Sequence, residues 1–223
     1  MSKIYVLIKG KHGKTSLQRI TEICSTPLFD NLRNLDKDFM NRLHLIEGNV
    51  GELNLGISVT DREILTNNTQ IIIHLAANVR FDAPLHEICL VNLRGTREML
   101  KLANDTINIM SFIYVSTAYT HCYQKHIEEK FYNCPIDPHK MIQLSENSVS
   151  HIPELTTRFV SPWPNTYSFS KAVAEELIRL QGTEKFPTAI IRPSIGKCLY
   201  ISTYIVVVEI YKIKVPTLNY YLM

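Results

Sequence analysis

Tyr167 and Lys171 stand four residues apart in the stretch N-T-Y-S-F-S-K, residues 165–171, and in a helix that spacing puts phenol and ammonium on one face. A tyrosine titrates ordinarily near ~10, so it becomes a useful acid or base near neutrality only when a cation stabilises its anion. Lys171 is spaced to be that cation. An ordinary amphipathic helix presents the same pair, so the chemistry has to find support in other segments. Ser116 and Thr117, in S-T-A-Y, offer hydroxyls that could donate to an oxygen gaining negative charge. A carbonyl that accepts hydride builds such a charge, and Tyr167 would then deliver the proton. The hydride itself requires a cofactor, because no side chain supplies one.

The elements that must position these groups follow from apolar spacing. Pro162 and Pro164 precede Tyr167, and the run S-K-A-V-A-E-E-L-I-R-L from Ser170 carries Val173, Leu177 and Leu180, which predicts a helix. Ile4 to Ile8 reads as a strand buried on both faces, and Leu43 to Ile46, Ile71 to Ala77, Phe112 to Val115 and Thr188 to Arg192 read as further strands. Helices are expected over Ser16 to Cys24, within Thr26 to Asn41, from Thr60 with Thr60 or Ser58 as N-cap, and over Leu90 to Asn104. Asn92 and Gly95 are odd choices for that last helix, and Gly95 implies a close packing contact. Thr120 to Pro164 reads as a long irregular stretch, of the kind that covers a site.

Strand and helix alternate through at least five cycles, which argues for a doubly wound α/β fold with a mostly parallel sheet. Ligands bind such sheets beyond the carboxyl ends of the strands. Lys9, Asn49, Ala76, Ala77, Ser116, Thr117, Pro193 and Ser194 all fall there. Lys9 and Lys11 belong to a crowded cationic turn that could hold a phosphate. Asn49, followed by Val50, could offer an amide to an adenine ring. Ala76 and Ala77 are small enough for a ligand to approach the backbone. His74, inside its strand, reads as a packed core residue.

With 223 residues, 45% of them hydrophobic, the chain is expected to form a single domain with a real core. The net charge of +3 comes without a long basic run, so nothing points to nucleic acid. The five cysteines are scattered, with no C-x-x-C pair and no metal-ligand spacing. That pattern suits free thiols in a reducing compartment and offers no metal site. The apolar run at the N-terminus is too short for a signal peptide, which argues against secretion, and no apolar span reaches the ~20 residues of a transmembrane helix.

Taken together, I-I-I-H-L-A-A-N-V-R-F-D, N-L-R-G-T-R-E-M-L-K-L-A, F-I-Y-V-S-T-A-Y, P-N-T-Y-S-F-S-K-A-V-A-E and I-I-R-P-S-I resemble the extended short-chain dehydrogenase/reductases. More narrowly, the chain resembles the alcohol-forming fatty acyl-CoA reductases over about residues 3–196. The resemblance implies a Rossmann-like fold and NADPH-dependent reduction of a long-chain acyl-CoA through an aldehyde to a fatty alcohol. By position it implies that Thr117 with Ser116 polarises the carbonyl, that Tyr167 is the proton donor and that Lys171 is its partner. Ala76, Ala77, Asn92, Lys171 and Pro193 would line the cofactor, and Asn49 replaces the family's usual aspartate. The family is commonly linked to peroxisomal or endoplasmic-reticulum membranes on the cytosolic side, and a homo-oligomer is compatible with it.

Two departures shape the expectation. The family opens with a strand and the turn T-G-x-x-G-F-L-G, which sets backbone amides against a pyrophosphate. No such turn occurs in this chain, so the sheet is expected to lack its first strand and the cofactor its main anchor. From Gly196 the sequence also leaves the family pattern, giving a reductase domain over residues 1–196 and a divergent apolar tail over 197–223. Two alternatives stand beside an active reductase. One is a non-catalytic truncated relative that associates with a full-length enzyme. The other is an extended-family sugar-nucleotide epimerase or dehydratase, which would use the same tyrosine and lysine.

Overall fold

The computed structural model describes residues 3–11, 13–147, 158–181, 185–194 and 210–212. The β-branched and aromatic run I-Y-V-L-I forms β1, Ile4–Ile8, which pairs in parallel with β2, Leu43–Glu47, from Ile4 opposite Leu43 to Ile8 opposite Glu47. Between them run α1, Ser16–Cys24, and the short α2, Asp30–Leu35. Thr15 caps α1 through a reciprocal arrangement with Gln18, each side chain bonding the other's backbone N–H, so two otherwise unpaired helix-end donors are satisfied. Ser58 caps α3, Val59–Asn68, by accepting from the Asp61 amide.

The second sheet is built from β3, Ile71–His74, β4, Ser111–Val115, and β5, Thr188–Ile191, all parallel, with β6, Ile210–Lys212, antiparallel to β5. A doubly wound α/β arrangement is therefore present, with its strands divided between a two-stranded and a four-stranded sheet. β1 and β3 each keep one edge without a ladder partner among the described residues, and Ile71 and Ile73 are 54% and 55% exposed. One continuous core nevertheless joins both sheets. It runs from Ile46 and Leu55 beside β2 through Ile72 and Leu93 to Phe112, Phe169, Ile178 and Ile190.

Three elements differ from the sequence expectation. The helix expected from Leu90 begins earlier, as α4, Leu85–Cys89, and passes through a widened π turn at Leu90–Arg94 into α5, Gly95–Asp105. β3 ends at His74, so Leu75 to Ala77 leave the ladder. The stretch read as irregular contains α6, Pro138–Glu146, capped by Asp137, which accepts from the His139 and Lys140 amides. Asp-Pro at cap and first helical position is a start signal that the surrounding polar residues obscured. The tail from residue 197 lies outside the described residues except for β6.

Gly95 is explained by contact with the loop after β2. A Cβ built there would lie 2.8 Å from the Val50 carbonyl oxygen and 2.9 Å from its side chain. That loop is itself held in an unusual backbone, with Asn54 and Leu55 at φ of 52° and 63°. The buried Glu98 carboxylate holds it, accepting from the Asn54 amide at 3.1 Å while Arg97 and Lys101 neutralise it. Burial alone would raise the Glu98 pKa; the bonds from Lys101, Arg97 and Asn54 bring it below its ordinary value. Gly95→Ala should therefore destabilise the fold by up to about 2 kcal/mol in urea unfolding, the ~1–3 kcal/mol of overpacking against the Val50 backbone exceeding the ~1 kcal/mol that alanine gains in a helix. Equal or greater stability of the variant would rule out the close contact.

Candidate active site

The helix that carries Tyr167 and Lys171 is α7, Thr166–Gln181. Asn165 starts it, its side-chain oxygen accepting from the Ser168 amide at 2.8 Å. Thr166 then tethers this first turn to the loop after β3, donating to the Ala83 carbonyl at 2.9 Å. The phenol of Tyr167 is thus delivered from the first turn of a helix pinned at its start, and Lys171 and Glu175 follow on the same face at four-residue intervals.

Tyr167, Ser116 and Thr117 line one cavity of about 580 Å³, together with Val79, Phe81 and Pro193. Ser116 and Thr117 come from the end of β4, where the Ser116 amide still bonds the Ile191 carbonyl at 2.7 Å and the Ala118 amide bonds that of Pro193 at 3.0 Å. The continued pairing with β5 holds both hydroxyls at the carboxyl rim of the sheet. The Thr117 hydroxyl lies beside the Tyr167 phenol and acts to lower its pKa. Ser116 Oγ is buried on the cavity wall and has no hydrogen-bond partner among the described residues. The ring of Phe81 lies 5.7 Å from that of Tyr167, tilted by 43°.

Lys171 does not turn toward Tyr167. Its ammonium, 2% exposed, donates to the Tyr114 phenol at 3.1 Å and to the Val115 carbonyl at 2.8 Å. Burial lowers its pKa to about 8, with the Glu175 carboxylate acting in the opposite direction. Tyr167 is raised rather than lowered, because burial outweighs the influence of Thr117. The expectation that Lys171 depresses the phenol is not met in this arrangement. The acceptors at the end of β4 hold the cation.

The remaining expected site residues separate into two groups. Lys9 and Lys11 are exposed beyond β1, Ala76 is exposed beyond β3, and Ala77 and Pro193 are half-buried, so all remain open to a ligand at the strand ends. Asn92, Asn49 and Val50 are engaged elsewhere. Asn92 is buried in the π turn, where its Oδ1 accepts from the Asn78 amide at 2.7 Å and its Nδ2 donates to the Asn78 carbonyl and Ser170 Oγ, each at 2.9 Å. It ties the loop after β3 to α7, and both of its Nδ2 protons are used in doing so. Asn49 turns its carboxamide to Glu52 and the Gly51 amide, and Val50 packs over Gly95.

Sequence reasoning missed Tyr114, Thr96, Glu175, Arg192 and Phe81. Glu175 is buried and takes two bonds from Arg192, at 2.6 and 2.9 Å. His121 lies 3.9 Å from the same carboxylate, and burial lowers its pKa. A carboxylate four residues after Lys171, and an arginine closing an otherwise apolar strand, were the available signals.

The profile of an NAD-binding family described as male sterility protein matches residues 1–198. The chain belongs to that family. Fatty acyl-CoA reductase 1 of Homo sapiens is 37% identical over 196 residues, 87% of this chain and 38% of that protein. The fatty acyl-CoA reductase wat of Drosophila melanogaster is 35% identical over 196 residues, again 87% of this chain and 38% of its relative. The chain thus spans about two fifths of the length of these relatives. Among solved structures, the terminal R domain of a myxalamid biosynthetic pathway is similar in fold, with 24% identity, a TM-score of 0.59, and coverage of 86% of this chain and 42% of that one. No helix among the described residues is long and apolar enough to cross a membrane.

The buried ammonium gives this member of the family a defined pH dependence. Unfolded lysine keeps its proton to about pH 10, whereas Lys171 in the fold releases it near pH 8. Between those values the unfolded state binds more protons, so stability rises with pH there, and below pH 8 the cost of the buried charge is complete. Lys171→Met should be more stable than the parent at pH 7 by roughly 1–3 kcal/mol, the hydrogen bonds lost by Tyr114 and Val115 reducing the full shift. Urea unfolding of both proteins at pH 7 and pH 10 checks this, and a difference that does not shrink with pH would contradict it.

Proposed function

We propose that this chain carries the reducing centre of an NADPH-dependent, alcohol-forming fatty acyl-CoA reductase, acting on a long-chain acyl-CoA. The observation that carries the reading is the meeting of the Tyr167 phenol, the Thr117 hydroxyl and the unpartnered Ser116 hydroxyl on one cavity wall, with a buried amine on the next turn of the same helix. A buried hydroxyl without a partner costs about 1–3 kcal/mol, a cost that a bound oxygen or amide would relieve.

The residues present fit a nicotinamide cofactor at its nicotinamide-ribose end. Ser116 supplies the unused hydroxyl there, Lys171 a buried amine one turn along the helix from Tyr167, and Ala76, Ala77 and Pro193 a close backbone approach. Lys9 and Lys11, exposed beyond β1, are the cations suited to the extra phosphate of NADPH. When bound, the cofactor supplies hydride to the carbonyl carbon.

Thr117 and Ser116 orient the substrate carbonyl and donate to its oxygen as negative charge develops. Tyr167 passes its proton to that oxygen, and its raised pKa keeps the proton in place until the oxygen becomes basic. Lys171, one helical turn on and held by Tyr114 and Val115, supplies a buried positive charge beside the site. Val79 and Phe81, both exposed at the cavity, give the acyl chain an apolar wall. One hydride and one proton reduce the thioester to an aldehyde and release the CoA thiol, and a second hydride, from a second NADPH, with a proton passed by the same groups would yield the alcohol.

The division of the strands between two sheets favours one further reading, a non-catalytic relative that works only in association with a full-length reductase. One experiment separates the two. The purified chain should oxidise NADPH only when a long-chain acyl-CoA is present, and Tyr167→Phe should reduce that rate by about 10²–10⁴-fold. A folded chain that binds no NADPH would sink the catalytic reading.

A further inference from the structure

Lys171 is the end of a buried polar chain that crosses the core from β3. Thr96, in the first turn of α5, donates its only hydroxyl proton to the Asn92 carbonyl at 2.7 Å. Its oxygen can therefore only accept from any further partner. One such partner is His74 Nε2, at 3.1 Å, which must carry the ring proton. The Tyr114 phenol lies next to the same hydroxyl and accepts from the Lys171 ammonium at 3.1 Å. His74, Thr96, Tyr114 and Lys171 are each 2% exposed or less, so every one of these bonds is made away from water.

We infer that Tyr114 is a positioning residue for Lys171: its phenol, beside Thr96, fixes one ammonium N–H while the Val115 carbonyl fixes a second. The third N–H has no partner among the described residues and is the one left for a bound ligand or for Tyr167. The ring contributes as well, with the ammonium 4.5 Å from its centroid. His74 supports the arrangement by remaining neutral. Burial and the nearby Lys171 charge lower its pKa to about 3, so it adds no second cation to the chain. The groups facing Lys171 are accordingly Tyr114 on β4, His74 on β3 and, on its own helix, Glu175, which is already paired with Arg192.

The catalytic meaning of this arrangement rests on the proposed reductase chemistry, but its physical content is open to direct measurement. The full chain carrying ¹³C-lysine is titrated by NMR, with the Lys171 resonance assigned by its loss in Lys171→Met. The parent resonance should titrate near pH 8. Tyr114→Phe removes the acceptor and keeps the ring, so the midpoint should fall by about one pH unit, since an acceptor that bonds the charged form favours it. Thr96→Val should move it in the same direction by less, and Thr96→Ser, which restores the hydroxyl, should return it to the parent value. A folded Tyr114→Phe protein with the parent midpoint overturns the inference. If that variant does not fold, a parent midpoint in Thr96→Val overturns it instead. The titration needs no turnover, so a chain that never oxidises NADPH would refute the reductase reading and leave this result legible.

Discussion

A lysine ammonium that is 2% exposed must be solvated by the protein itself, and in this fold that requirement links β3, β4, α5 and α7. A lone buried charge would cost several kcal/mol, so the surrounding groups are arranged to supply what water does not. The Val115 carbonyl and Tyr114 phenol accept from it, and Glu175 adds opposite charge one turn along. Glu175 in turn would be an uncompensated charge without Arg192, which enters from the end of β5. The ionic core is therefore a single coupled unit, two cations sharing one carboxylate, and the position of Lys171 is a property of that unit rather than of the helix alone.

The apolar framework permits this arrangement because it brackets it. Phe112, Phe169, Ile178 and Ile190 are fully buried around the same strands, and Tyr114 lies among them with its phenol directed to polar partners. On the far side, Gly95 lets α5 approach the Val50 backbone, and Glu98 restrains the left-handed Asn54 and Leu55. Both sets of contacts converge on α5. The helix that supplies Thr96 to the polar chain also anchors the loop after β2, so the rim near the first sheet and the ionic core near the second share a common support.

Membership of the male sterility protein family and likeness to fatty acyl-CoA reductases agree with a site built at the carboxyl ends of β4 and β5. The cavity is lined by the apolar Val79 and Phe81 together with the hydroxyl-bearing Ser116 and Thr117. The rim beyond β1 and β2 is simpler. Its lysines are exposed, and Asn49 is occupied by its own loop.

The sequence by itself determined the strand and helix alternation, the parallel sheet and the rim on which Tyr167, Ser116 and Thr117 meet. Each rests on local signals: β-branched runs, a four-residue spacing, and hydroxyls at a strand end. It also marked Gly95 as a contact point, because a glycine inside a good helix needs a reason. Only the tertiary structure decided which partner Lys171 takes. Spacing along a helix says which side chains share a face, whereas a buried ammonium goes to the best acceptors around it, and those come from β4, 57 residues earlier in the chain. The same limit hid the engagement of Asn92, whose bonds to Asn78 and Ser170 span 14 and 78 residues. It also hid α6, whose cap and proline lay within a polar stretch without a clear apolar period.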